Sequence, residues 1–226
     1  DPKAIEALLV THAHIDHIGR IPRLVAQGFK GVIYSTEATR AIAEFLLLDA
    51  VELLLRESME EKREPLYTEG DVEKALTLWK VTPYEKEVAL SGGFTAKFRD
   101  AGHVLGSALI EVTREGRKMV FTGDLGSDNS LLLNPATRIT DADYILMESV
   151  YGDKEHEEAD MRRDLLEDVI EETIARRGTL LIPAFSMERT PRNSEFFRKH
   201  TVYKNTTKYV FVKWIVDSEG KLNFSH

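Results

Sequence analysis

The apolar run Ala7-Leu8-Leu9-Val10 gives way at once to Thr11-His12-Ala13-His14-Ile15-Asp16-His17. Leu8 to Val10 reads as a short strand buried in a sheet. Three imidazoles and a carboxylate so close together cannot be buried without partners. The strand therefore has to end where they begin, at the edge of a core. Imidazole nitrogen and carboxylate oxygen are also ligands that zinc takes from proteins, and a strand end holds such groups rigidly. The competing reading is a polar turn rich in histidine. It leaves two further clusters downstream without a purpose.

The rest of the chain alternates helices and strands. Ile18 to Gln27 reads as a short helix, with Ile18, Ile21, Leu24 and Val25 near helical spacing and Gly28 as its stop. Gly31 to Ser35 is a strand. Thr36 is an N-cap for a long helix to about Glu57, supported by Ala41, Phe45, Leu48 and Leu55. Glu57 to Tyr67 is highly charged, holds Pro65, and reads as a loop or a frayed helix end. Asp71 caps a second helix, Val72 to about Lys80. A period of two then takes over. Phe94 to Asp100 is one strand, and Ala108 to Thr113 and Lys118 to Thr122 flank Glu115-Gly116 as a hairpin. Tyr144 to Met147 is a buried strand ending at Glu148. Arg162 to Arg177 is an amphipathic helix with Leu165, Leu166, Val169, Ile170 and Ile174 on one face. Gly178 stops it, and Thr179 to Pro183 is a strand. The order is that of an α/β layered fold with its chemistry along the strand ends.

The 226 residues, 42% hydrophobic and 30% charged, suit one globular domain, or one and part of a second. The absence of cysteine excludes disulfides and thiolate metal sites and points to a reducing cytoplasm. No uninterrupted apolar run of about 18 residues marks a membrane span. The net charge of −8 gives no overall pull on nucleic acid, so a polyanion has to be met by metal ions and local basic groups. Residues 191–226 hold seven Lys/Arg against three Asp/Glu, +4, while the remainder of the chain is −12. The aromatic residues of this tail suit contact with RNA; a strand-rich remnant is the plainer reading. The abrupt start at Asp1-Pro2-Lys3-Ala4-Ile5 reads as a chain cut from something longer.

Two clusters supply what the first one lacks. Gly102-His103-Val104-Leu105-Gly106-Ser107 follows a strand, with glycines that let backbone approach a ligand closely. Thr122-Gly123-Asp124-Leu125-Gly126 ends another strand on an aspartate, a turn residue taken alone but a candidate bridge between two cations beside the histidines. The metal-ligand candidates are His12, His14, Asp16, His17, His103 and Asp124. Six N/O ligands exceed one tetrahedral site and suit two, each with an open position for water. Glu148, at the end of the next strand, either orients a proton donor near the metals or caps a turn.

In this order and spacing the boxes resemble the metallo-β-lactamase fold. His17 at the last position of the first box, with no cysteine ligand, resembles the glyoxalase II, tRNA 3′-processing and nuclease branch. Adding Glu148 to Asp153 and Ile182 to Thr190, the chain from Pro2 to Thr190 resembles the β-CASP group, which includes the mRNA 3′-end cleavage endonuclease and related ribonucleases. The resemblance implies an αββα four-layer sandwich, incomplete here. Residues 1–177 would be the metallo-β-lactamase-like domain, without its first strands, and 178–226 the start of a β-CASP insert with an atypical basic tail. An aspartate that the group carries before the first box, and two histidines that follow its insert, find no match in this chain; His200 and His226 lack the surrounding motif.

The function expected is zinc-dependent hydrolysis of RNA phosphodiester bonds. One zinc would be held by His12, His14 and His103, and a second by Asp16, His17 and the shared Asp124. Asp16 would also hold the nucleophilic water. Glu148, by resemblance, would hydrogen-bond the group that protonates the leaving oxygen. The partner is single-stranded RNA and no membrane; a homodimer is one option for the assembly. Two alternatives stand beside this: a hydrolase of a small thioester, and an inactive fragment or non-catalytic RNA-processing subunit.

Overall fold

The computed structural model describes residues 1–127, 133–153, 159–176, 181–183, 210–212, 214–216 and 222–224. These fall into two compact units, Asp1–Val150 and Tyr151–His226, each described by itself.

In the first unit, the strands β1 (Ala7–Leu9), β2 (Val32–Ser35) and β3 (Trp79–Val81) form a parallel sheet in that order. Side chains on a strand alternate between faces. Leu8, Ile33 and Trp79 therefore pack into one core with the helices α1 (Ile15–Ile18), α2 (Ile21–Ala26), α3 (Glu37–Glu61) and α4 (Glu69–Thr77). Ala7, Leu9, Val32 and Tyr34 face the other way, into a second core with Ala96, Phe98, Ala108 and Ile110. Those last four belong to a five-stranded sheet of order β4-β5-β6-β7-β8: β4 (Glu87–Ala89), β5 (Thr95–Asp100), β6 (Ala108–Arg114), β7 (Arg117–Phe121) and β8 (Tyr144–Leu146). Helices, three-stranded sheet and five-stranded sheet thus stack in layers. Phe98 is fully buried between the sheets. Phe98→Ala is expected to destabilise the chain by about 3–5 kcal/mol in urea unfolding, the cost of a large cavity in a core that cannot collapse.

Local sequence accounts for most of these elements. The Thr36 hydroxyl accepts from Thr39 N and caps α3, as expected, and the helix runs four residues past Glu57 before Lys62 ends it in the left-handed region. Glu115 and Gly116 both have positive φ and join β6 to β7 in register, Arg114 opposite Arg117. Four expectations need correction. The helix from Ile18 to Gln27 is two short helices broken at Gly19-Arg20, with Pro22 in the first turn of the second. The N-cap of α4 is Thr68, not Asp71. Asp71 sits three residues on and accepts from Thr68 N, the reciprocal half of a capping box. That helix ends at Thr77, and Trp79–Val81 is a strand. Finally, Tyr144, Ile145 and Leu146 form the expected strand, but each is about 60% exposed, so it is not the buried strand expected.

In the second unit α5 spans Ala159–Ala175. Ile170 is buried, whereas Leu165 and Val169 on the face expected to be apolar are exposed. Four three-residue strands follow: β9 (Leu181–Pro183) pairs parallel with β10 (Val210–Val212), and β11 (Trp214–Val216) pairs antiparallel with β12 (Leu222–Phe224). Gly178, residues 184–190 of the last sequence box, His200 and His226 lie outside the described residues. Among the described residues no helix is long and apolar enough to cross a membrane.

Candidate metal centre

The ends of four strands converge. β5 and β7 both run antiparallel to β6 and so share a direction, and β8 is parallel to β7. Their C-terminal ends, carrying His103, Asp124 and Glu148, therefore meet on one edge. The first box joins them through the Ala108 N–H, which donates to Thr11 O at 2.7 Å. Within that box the short helix α1 separates the chemistry from the core. Ala13 and Ile18 are fully buried, whereas Asp16 and His17 stand in its exposed first turn.

His12 Nε2 lies 3.1 Å from His14 Nδ1, and His103 Nε2 lies 3.2 Å from the same atom. Asp124 Oδ2 is 3.6 Å from both Nε2 atoms. Each pair of the three rings is close to perpendicular, at 82° to 84°. Ligand atoms about 2.0–2.1 Å from a tetrahedral ion stand about 3.3–3.4 Å apart, so these four residues fit one divalent cation. On the other side of Asp124 its second oxygen, Oδ1, is 3.3 Å from His17 Nε2. Asp16 Oδ2 is 3.6 Å from that same nitrogen, and its side chain is 74% exposed. All six residues proposed from the sequence as ligands are thus brought together, in a closed group of four and an open group that shares Asp124.

Electrostatics favour the protonation state a metal needs. Burial, reinforced by the charges of His17, His14 and His103, lowers the His12 pKa to about 3. Burial also lowers His14 and His103, with Asp124 working against it in both. Neutral imidazoles are the form that ligates. The same shifts make the metal-free fold sensitive to acid. An unfolded histidine titrates near 6.5 and takes up a proton that the folded one refuses, so stability is full above that pH and is lost as pH falls toward 3. Each such group contributes a slope of up to about 1.4 kcal/mol per pH unit in that window. The urea midpoint of the chelator-treated chain is expected to drop clearly between pH 7.5 and pH 5, above the ordinary carboxylate range. A flat midpoint would contradict the burial of neutral histidines.

Several supporting residues escaped sequence reasoning. Thr11 Oγ1 lies 3.1 Å from His12 Nδ1 and fixes the ring so that Nε2 faces the centre. A hydroxyl directly before the box was the available signal. Ser107 Oγ accepts from the backbone N–H groups of His103 and Val104 and shapes the second box. Gly123, with φ +54°, leaves no room for a side chain: a Cβ there would stand 2.7 Å from Thr11 Cβ. At Gly126 a Cβ would land on the Gly102 carbonyl, where the backbones of the second and third boxes cross. Gly126 N donates to Ala101 O at 2.9 Å in the same crossing. Glu148 stands two residues past β8, and both its carboxylate oxygens accept backbone N–H groups, from Leu125 and Val150.

This arrangement of layers and ligands has known counterparts. The model of the metallo-beta-lactamase superfamily matches residues 1–170, and the chain belongs to that superfamily. Ribonuclease TTHA0252 of Thermus thermophilus is 37% identical over 190 residues, 84% of this chain and 42% of that protein. Cleavage and polyadenylation specificity factor subunit 3-I of Arabidopsis thaliana is 34% identical over 193 residues, 84% of this chain and 27% of that protein. An RNase J-like protein of Methanocaldococcus jannaschii is 34% identical over 193 residues, again 84% of this chain and 42% of that protein. The chain spans less than half the length of these relatives. Two of the three are named as ribonucleases, in line with the resemblance to the β-CASP group carried by the sequence boxes.

Proposed function

We propose that this chain is the metal-binding part of a hydrolase that cleaves phosphodiester bonds in single-stranded RNA. The observation that carries the reading is the division of Asp124: Oδ2 faces His12 and His103, and Oδ1 faces His17. A carboxylate placed in that way serves two ions at once, and two-ion sites suit displacement at phosphorus. His12, His14 and His103 would hold one zinc, and Asp16 and His17 the other, with Asp124 shared. When bound, the two ions would lower the pKa of a water toward neutrality and offset charge on the attacked phosphate. Asp16, at the exposed edge, would accept a hydrogen bond from that water and orient it. Glu148 would orient the group that protonates the leaving oxygen, the role the resemblance implies. Residues 1–177 form the metallo-β-lactamase-like domain in this reading, residues 178–226 begin the β-CASP region, and the lack of cysteine suits a cytoplasmic setting.

The substrate class is tested by incubating the zinc-loaded chain with a labelled single-stranded RNA and, separately, with a small thioester. Metal-dependent RNA cleavage that is lost with chelator is expected. Turnover of the thioester with RNA left intact would replace the ribonuclease reading by a glyoxalase II-like one.

A further inference from the structure

Glu148 has a geometry that turn capping alone does not explain. One carboxylate oxygen, Oε1, accepts the Leu125 N–H at 2.9 Å, and the other, Oε2, accepts the Val150 N–H at 3.1 Å. The Glu148 N–H in turn donates to Thr122 Oγ1 at 3.2 Å, and that hydroxyl donates to Gly123 O at 2.7 Å. Thr122 N donates to Leu146 O at 3.0 Å and extends the β7–β8 ladder to the same point. The residues on both sides of Asp124 are therefore tied to one residue just past the neighbouring strand, Leu125 to its carboxylate and Thr122 to its backbone N–H. Asp124 stands on the loop after β7, which Gly126 N also ties to Ala101 O at 2.9 Å. Its pivot angle decides whether Oδ1 points at His17 or away from it.

From this we infer that Glu148 is a positioning residue for the second cation: it clamps the Asp124 loop so that Oδ1 is aimed at His17. The first cation depends less on it. His12 and His103 are set by the Thr11, Ala108 and Ser107 contacts, none of which passes through Glu148. The side-chain length matters. A glutamate reaches from just past β8 to the Leu125 N–H on the adjacent loop and still keeps its other oxygen on Val150. The inference rests on the two-cation reading above and assigns the clamp within it.

The test compares wild type, Glu148→Ala and Glu148→Gln by zinc titration followed with isothermal calorimetry, and by amide hydrogen exchange at Leu125 and Val150. Loss of a group that orients a ligand typically costs about 10–100-fold in metal affinity. Wild type is expected to bind two ions. E148A is expected to weaken the second by about that factor, to weaken the first by less because three imidazoles still hold it beside Asp124 Oδ2, and to exchange both amides faster. E148Q keeps an acceptor for the Leu125 N–H and is expected to fall between the two. Two ions bound to E148A with wild-type affinity would overturn the clamp and leave the two-cation reading intact. Equal weakening of both ions would do the same. A wild type that binds a single ion would instead remove the two-cation reading. The clamp is then decided by the Leu125 amide, whose exchange in E148A has to quicken for it to stand.

Discussion

Asp124→Ala is expected to leave the protein with no more than one tightly held zinc and with no measurable cleavage of single-stranded RNA. The reason is the division of its carboxylate between the His12 and His103 nitrogens on one side and His17 on the other. Removing a carboxylate that would serve one ion with each oxygen affects both, so the loss of affinity should exceed the about 100-fold that follows from removing a supporting contact alone. The fold should survive, because Asp124 lies outside both hydrophobic cores and the β7–β8 ladder is held by backbone. The variant is read by calorimetric zinc titration beside circular dichroism. A folded D124A that still binds two zinc ions would contradict the shared role.

Gly126→Ala is expected to be as damaging through packing alone. Its added Cβ would meet backbone, the carbonyl of Gly102, rather than a side chain that could turn aside. The two loop segments that cross there, after β5 and β7, carry His103 and Asp124. Relief therefore requires one box to move away from the other, breaking the Gly126 N to Ala101 O bond as it goes. A cost of about 3 kcal/mol or more is expected in chemical unfolding, at the upper end of what overpacking produces. Zinc affinity should fall with it, since His103 and Asp124 both belong to the closed group of four. Gly116→Ala serves as the control. It has a positive φ, but nothing stands within 4 Å of its added carbon, so it strains the hairpin without touching the centre. Equal stability and zinc affinity in both variants would show that the crossing is not what matters.

The residues that gather at the candidate metal centre were legible in the sequence because they are chemically rare and sit directly behind apolar runs: His12 after Val10, and Asp124 after Phe121. The helix capped by Thr36 and the Glu115-Gly116 hairpin were legible for a similar local reason, since one polar or flexible residue fixes each. What failed was decided by neighbours in space. Trp79-Lys80-Val81 continues the helical pattern of α4 smoothly, and only pairing with Ile33 to Ser35 makes it a strand. Thr68 and Asp71 are both good caps three residues apart, and the choice between them depends on which backbone N–H groups the helix leaves open. Tyr144 to Leu146 looks buried because it is apolar, but burial depends on what covers the faces of the sheet, and both faces are exposed there. Glu148 was visible as a carboxylate at a strand end. Its two backbone partners lie on either side of it, one 23 residues earlier and one two residues later, and no spacing rule reaches both.

The number and ligands of the bound ions decide whether the centre is dinuclear. Metal analysis of the chain after zinc loading and desalting, paired with X-ray absorption at the zinc edge, measures both. Two zinc ions per chain are expected in a shell of nitrogen and oxygen alone, with an imidazole signature that weakens in His12→Ala. One zinc or fewer per wild-type chain, or two with no imidazole among their ligands, would contradict this expectation.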